Sequence, residues 1–159
     1  MMLRWIKSNC ESPEMSVPSH SNHNAGIDPT RDQVRNLRDH GRDGPVVMMN
    51  LLKFRQTAEY PAEMAMPACS GQAAYARYQH AFTVAVGAIS QAQVIYDGPC
   101  EQIFIGQAGT DAAEWDKVLL VRYPTRQHFL AMLADAGYRE ALVHRYAGLE
   151  RTILIQCAG

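Results

Sequence analysis

The sequence predicts an α+β fold: a four-stranded antiparallel sheet with helices on one face, built from residue 45 onward in the order β-α-β-β-α-β. Three observations predict it. The run VVMMNLLKF, Val46 to Phe54, is apolar at seven of nine positions, as a strand covered on both faces would be. Two stretches behind the capping hydroxyls Ser70 and Thr125 carry apolar residues at helical spacing. The succession of strand and helix patterns is that of the split βαβ, or ferredoxin-like, arrangement.

Each element has its own warrant. Residues 8–27, rich in Ser, Asn and Pro, show no periodicity, so 1–27 is expected to be a flexible arm. His20 and His23 lie three apart within it, but a flexible arm holds no metal geometry, and no metal is expected. Over 28–43, Asp28 can cap, Pro29 suits the first helical turn and Gly41 the stop, giving a short helix with only Val34 and Leu37 as an apolar stripe. The core domain then runs over 44–159. Gly44-Pro45 opens the first strand, and 55–69, with Pro61 and Pro67, reads as a loop. Ser70 caps a helix over 71–86 whose buried stripe is Tyr75, Tyr78, Phe82 and Ala85, with Gly87 as its end. Residues 91–107 read as one long strand bent at Asp97-Gly98-Pro99. The turn AGTDAAE leads to the strand WDKVLLVRY. Thr125 caps a helix presenting Phe129, Met132 and Leu133, and Asp135-Ala136-Gly137 breaks it. Tyr138, Leu142, Tyr146 and Leu149 line a further helix, and RTILIQC is the last strand.

Composition excludes several classes. With 159 residues the chain suits one domain, large enough to bury roughly 70% of its unfolded surface without disulfide or metal. Its net charge of −1 argues against nucleic acid and anionic membranes as partners. Cys10, Cys69, Cys100 and Cys157 form no CxxC pair, no apolar run approaches the roughly 20 residues that span a bilayer, and the start lacks a continuous apolar leader. A cytoplasmic protein is expected. Helices on one side leave the other face of the sheet bare, although Val46–Phe54 and Val118–Tyr123 are apolar at odd and even positions alike. A second copy is the cheapest cover, which predicts a homodimer enclosing a cavity.

The motifs "VVMMNLLKF", "AYARY", "WDKVLLVRYPTRQHF" and "GYREALVHRYAGLERTILI", in that order over residues 44–156, resemble the bacterial domain of unknown function 1330 family. Tyr123-Pro124-Thr125 stands where that family usually has Tyr-Pro-Ser, and Asp135-Ala136-Gly137-Tyr138 where it has an Asp-Pro-x-Tyr turn. The resemblance implies the dimeric α+β barrel superfamily. It also implies a cavity between the concave sheet face and the helices or flanking loops. Relatives in that superfamily include cofactor-free monooxygenases, haem-degrading oxygenases, cyclases and isomerases, so fold alone does not choose a reaction.

No GxSxG, P-loop or GxGxxG is present, and no cofactor is expected. Candidate site residues follow from burial and chemistry. Strand alternation puts Asn50 on one face with Met48 and Leu52, and Lys53 on the other, close enough to the strand end to reach solvent. Asn50 either ties the sheet to a neighbour or meets a ligand in an apolar wall. Tyr75 and Tyr78 lie on a buried stripe, where a phenol can orient a carbonyl or act as an acid. Trp115 opens a strand; Arg122 and Tyr123 end it on opposite faces, and Arg122 can meet a carboxylate or pair with Glu101 or Asp116. His80 and His128 are weaker candidates than His144, which has Arg145 beside it. The expected reading is therefore a dimer binding a small, mostly apolar carbonyl or carboxylate compound. Asn50 and Tyr75 hold the polar end, helped by Tyr78, Trp115, Tyr123 and Arg145. Arg122 neutralises charge and His144 is the base, for isomerisation, cyclisation or cofactor-free oxygenation. The alternatives are a non-catalytic binding or dimerisation module and a haem-handling protein.

Overall fold

The computed structural model describes residues 26–106 and 114–159. Most of the expected arm, with Cys10, His20 and His23, and most of the AGTDAAE turn lie outside them. The elements are α1 (Arg31–His40), β1 (Val46–Phe54), α2 (Gly71–Ser90), β2 (Gln93–Pro99), β3 (Lys117–Tyr123), α3 (Arg126–Ala134), α4 (Ala136–Gly148) and β4 (Leu149–Ala158). The sheet order is β2-β3-β1-β4 with every neighbour antiparallel. This is the ferredoxin-like topology of an α+β fold.

Register sorts the side chains by face. Met48 pairs with Val121 and Gln156, and Asn50 with Leu119 and Leu154, on the face toward the helices. There Val46, Met48, Leu52, Leu119, Val121 and Tyr123 are buried. Met49 pairs with Leu120 and Ile155, and Leu51 with Val118 and Ile153, on the outer face. Among the described residues no helix covers that face, and Ile153 and Ile155 stay 44% and 42% exposed. The largely apolar character of β1 thus serves two environments, a core on one side and an open apolar sheet on the other.

The helical layer is held together mainly by α2 against α4 and touches the sheet far less. The two helices cross where Gly71 meets Gly148: a Cβ on Gly148 would lie 2.5 Å from the Gly71 carbonyl oxygen and 2.9 Å from the Tyr75 nitrogen. Rings run along α2 in sequence, Phe54–Tyr75 at 5.5 Å between centroids, Tyr75–Tyr78 at 5.3 Å and Tyr78–Phe82 at 6.1 Å. Tyr138 of α4 closes on both Tyr78 and Phe82.

Several boundaries differ from the sequence expectation. Thr30, not Asp28, caps α1 through a capping box in which Thr30 Oγ1 accepts from the Gln33 amide and Gln33 Oε1 from the Thr30 amide. Ser70 caps α2 as expected, but the helix runs past Gly87 and stops at Gln91, which takes the left-handed conformation with φ 48°. One Gly inside a long helix costs only about 1 kcal/mol, too little to end it. The long second strand is broken: β2 ends at Pro99, and 100–106 are irregular, leaving Phe104 and Ile105 exposed. Thr125 stands at the start of α3 but makes no side-chain cap, because its hydroxyl is engaged with His128 Nδ1 at 2.9 Å. Asp135 both ends α3 and caps α4 by accepting from the Tyr138 amide.

Candidate functional site

Because the helices stand off the sheet, a cavity of about 730 Å³ opens between them, within the range of small-molecule sites. Its floor is Met48, Asn50, Leu119, Val121 and Tyr123; its roof is Tyr75, Tyr78, Phe82 and Tyr138; Phe129, Met132 and Leu133 close one side. A further wall comes from Gly26 to Leu37, ahead of the sheet, with Ile27, Asp28, Val34 and Leu37 facing the space.

Asn50 is buried, and its Nδ2 donates to the carbonyl oxygens of Met48 and Leu119, each at 3.2 Å. Two carbonyl acceptors fix which end of the amide is nitrogen. Its Oδ1 accepts nothing from the described residues. The structural role of Asn50, tying β1 to β3, and a place in the cavity wall therefore coexist.

Tyr75 is 2% exposed and its hydroxyl makes no hydrogen bond with the described residues. Burial pushes the phenols of Tyr75, Tyr78 and Tyr138 up, and the Arg145 charge works against it in all three. All are neutral hydrogen-bond donors near pH 7. Tyr123 is also raised by burial; its hydroxyl donates to Met132 Sδ at 3.8 Å and its ring meets Phe129 edge-on. Arg145, 8% exposed, donates through Nη1 to the Ile27 carbonyl at 2.7 Å and lies 3.9 Å from Asp28 Oδ1. Asp28 Oδ2 accepts from the Tyr146 hydroxyl at 2.7 Å. Among the described residues of the wall, Asp28 is the only acid, Arg145 the only cation, and there is no histidine.

The structure thus brings Asn50, Tyr75, Tyr78, Tyr123 and Arg145 together and leaves three expected residues apart. His144 is not in the wall. One helical position before Arg145, it points away, where its Nδ1 lies 2.9 Å from the Tyr60 hydroxyl. Arg77 donates to that hydroxyl and to Cys69 Sγ, both at 3.4 Å. Arg122 projects from the outer face, paired in register with Val47 and Gln93. It makes no ion pair with Glu101 or Asp116; Asp116 is taken by Lys53 Nζ at 3.0 Å and the Phe54 amide at 2.7 Å. Lys53 therefore ends in an ion pair rather than simply reaching solvent. Trp115 lies outside the cavity under the Arg151 guanidinium, 4.8 Å from the ring centroid.

Sequence reasoning missed the wall ahead of the sheet. Val34 and Leu37 were visible as a thin stripe, and facing the cavity is what that stripe does. Ile27 carries no signal at the end of a Ser/Asn-rich stretch, and the sequence marks Asp28 only as a helix cap. Among the described residues no three His, Cys, Asp or Glu side chains gather as metal ligands, and no helix is long and apolar enough to cross a membrane.

Comparison with solved structures places the chain. The RPA0582 protein of Rhodopseudomonas palustris, a protein of unknown function, matches with a TM-score of 0.72 and 33% identity, over 84% of this chain and 95% of its own. The chain belongs to the RPA0582 family. Methylated RPA0582 matches with a TM-score of 0.68 and 33% identity, over 84% of this chain and 93% of its own. A dimeric protein of unknown function and ferredoxin-like fold from Bacteroides fragilis NCTC 9343 is more distant, at 14% identity and a TM-score of 0.45 over 72% of this chain and 96% of its own. That distance supports no statement about this chain. No family model and no curated protein matches. Kinship with RPA0582 fixes a family and carries no activity with it.

Proposed function

We propose that the chain is a small-molecule-binding protein whose ligand lies in the cavity between sheet and helices. The ligand's apolar body rests on Met48, Leu119, Val121, Phe129 and Met132, its carbonyl or carboxylate end meets the Tyr75 hydroxyl and Arg145, and Asn50, whose two N–H groups go to main-chain carbonyls, offers Oδ1 to a hydrogen-bond donor of the ligand. One observation carries this reading: a space of about 730 Å³ walled by apolar side chains, with an amide, neutral phenols and one guanidinium as its polar points. Binding is favoured over proton-transfer catalysis because His144, the candidate base, is turned toward Tyr60. Tyr75 is the one acid of the expected pair that stays in the wall. Membership of the domain of unknown function 1330 family, supported by the order of the motifs, belongs to the same proposal. So does the cytoplasm, where the free thiols of Cys69, Cys100 and Cys157 remain reduced. The open apolar sheet face supports a homodimer.

The neutral fluorescent probe N-phenyl-1-naphthylamine tests the binding reading. Wild type is expected to enhance its emission saturably, and Val121→Trp, which fills the floor, to abolish the effect while circular dichroism stays native. Unchanged binding by a folded Val121→Trp protein would place the probe elsewhere and remove the reading.

A further inference from the structure

We infer that the cavity selects an organic carboxylate, with Arg145 as its counter-charge, and that Asp28 occupies the position which the ligand's carboxylate takes. The inference rests on the binding reading above and adds the ligand class and the element that yields to it.

A buried guanidinium needs compensation, because desolvating a charge costs several kcal/mol unless it is paired and hydrogen-bonded. Arg145 receives little. Its only carboxylate neighbour among the described residues is Asp28, at 3.9 Å, well beyond the roughly 2.7–2.9 Å of a charge-assisted hydrogen bond. The short bond of Asp28 goes instead to the Tyr146 hydroxyl at 2.7 Å. Among the described residues Arg145 has a firm hold only on the Ile27 carbonyl, a neutral acceptor. A planar guanidinium offers five donors in a fork matched to a carboxylate, and among the described residues most of that capacity is unused. The groups around it suit an anion as well. Tyr75, Tyr78 and Tyr138 are close enough to feel its charge and are neutral, so they can donate to a carboxylate but do not repel it.

The weak incumbent also stands beside a lightly packed element. Asp28 precedes α1, a helix with no buried residue. Asp43, beyond the other end of that helix, is tied to Arg126 at 2.9 Å by a carboxylate that is 95% exposed. With its carboxylate in open solvent, this pair contributes little to holding the helix. A ligand carboxylate that engages Arg145 through two hydrogen bonds replaces a distant carboxylate with a close one, and leaves Asp28 free to turn outward with Tyr146.

Two ligands of equal length test this, dodecanoate and dodecanol, each displacing N-phenyl-1-naphthylamine at neutral pH. Wild type is expected to prefer dodecanoate. The dodecanoate-to-dodecanol affinity ratio should fall about tenfold in Arg145→Met, from loss of a charge-assisted bond, and rise severalfold in Asp28→Asn, which removes the competing charge. A ratio unmoved by Arg145→Met, or lowered by Asp28→Asn, overturns the inference. Asp28→Asn keeps the question decidable if Arg145→Met does not fold. Calorimetric titration with dodecanoate reads the same variants without the probe, so failure of the probe to bind counts against the cavity reading alone.

Discussion

Asn50 donates from one nitrogen to two main-chain carbonyls of its own sheet, and that geometry makes its substitutions unequal. Asn50→Ala removes two donations and is expected to cost about 1–2 kcal/mol. Asn50→Asp sets a carboxylate against two carbonyl oxygens in a buried position and is expected to cost about 3 kcal/mol or more. Urea denaturation at neutral pH ranks the pair; equal midpoints would mean that the amide is not held as described. His144 gives a prediction of different kind. Burial and then Arg77 hold its imidazole below the ordinary range. As pH falls below about 6.5 the unfolded chain takes up a proton that the folded chain resists. The contribution of His144 is therefore complete above that pH and is lost on the acid side. His144→Gln should flatten the decline of stability between neutral and mildly acid pH, measured by urea titration at several pH values. At this scale the sequence was legible where burial decides: Asn50, Tyr75 and Tyr78 are buried on the faces that alternation and helical spacing assigned. It was not legible for His144 and Arg145, neighbours on one helix that point to opposite sides. A stripe with few landmarks does not fix a helix's rotation to within one residue.

The crossing of α2 over α4 inverts a familiar rule. Gly→Ala inside a helix ordinarily gains about 1 kcal/mol. At Gly148 the added Cβ would press on the Gly71 carbonyl and the Tyr75 nitrogen, and both are main-chain atoms that cannot swing aside. Gly148→Ala is expected to destabilise by about 1–3 kcal/mol, read as a lower thermal midpoint; a gain would show that the helices can separate freely. Strong periodic elements were legible almost to the residue, as β1 and the start of α2 show. The ends of α2 and β2 were not. Gly87 and Asp97-Gly98-Pro99 carry breaker residues, but the helix is sustained by packing of Val86 and Ser90, both fully buried. β2 stops at Pro99 rather than bending there, because its partner Lys117 is the first residue of β3 and the pairing ends with it.

For the molecule as a whole, the outer sheet face sets the expected assembly. Ile153, Ile155 and Tyr96 expose apolar surface beside Met49, Leu51 and Leu120. A two-fold partner laid on this face would bury the same residues on both copies. Wild type is expected to sediment as a two-chain particle and Ile155→Glu as a single chain that keeps its circular dichroism. A single-chain wild type at micromolar concentration would remove the dimer. The wall ahead of β1 has another consequence. Ile27, Asp28, Val34 and Leu37 contribute no strand to the sheet, yet they border the cavity. Part of the cavity wall is therefore supplied by a stretch that builds no strand. Substitutions before residue 44 can retune what is bound while the architecture stays put, so kinship read from the sheet and its helices carries over between homologues more faithfully than does ligand identity.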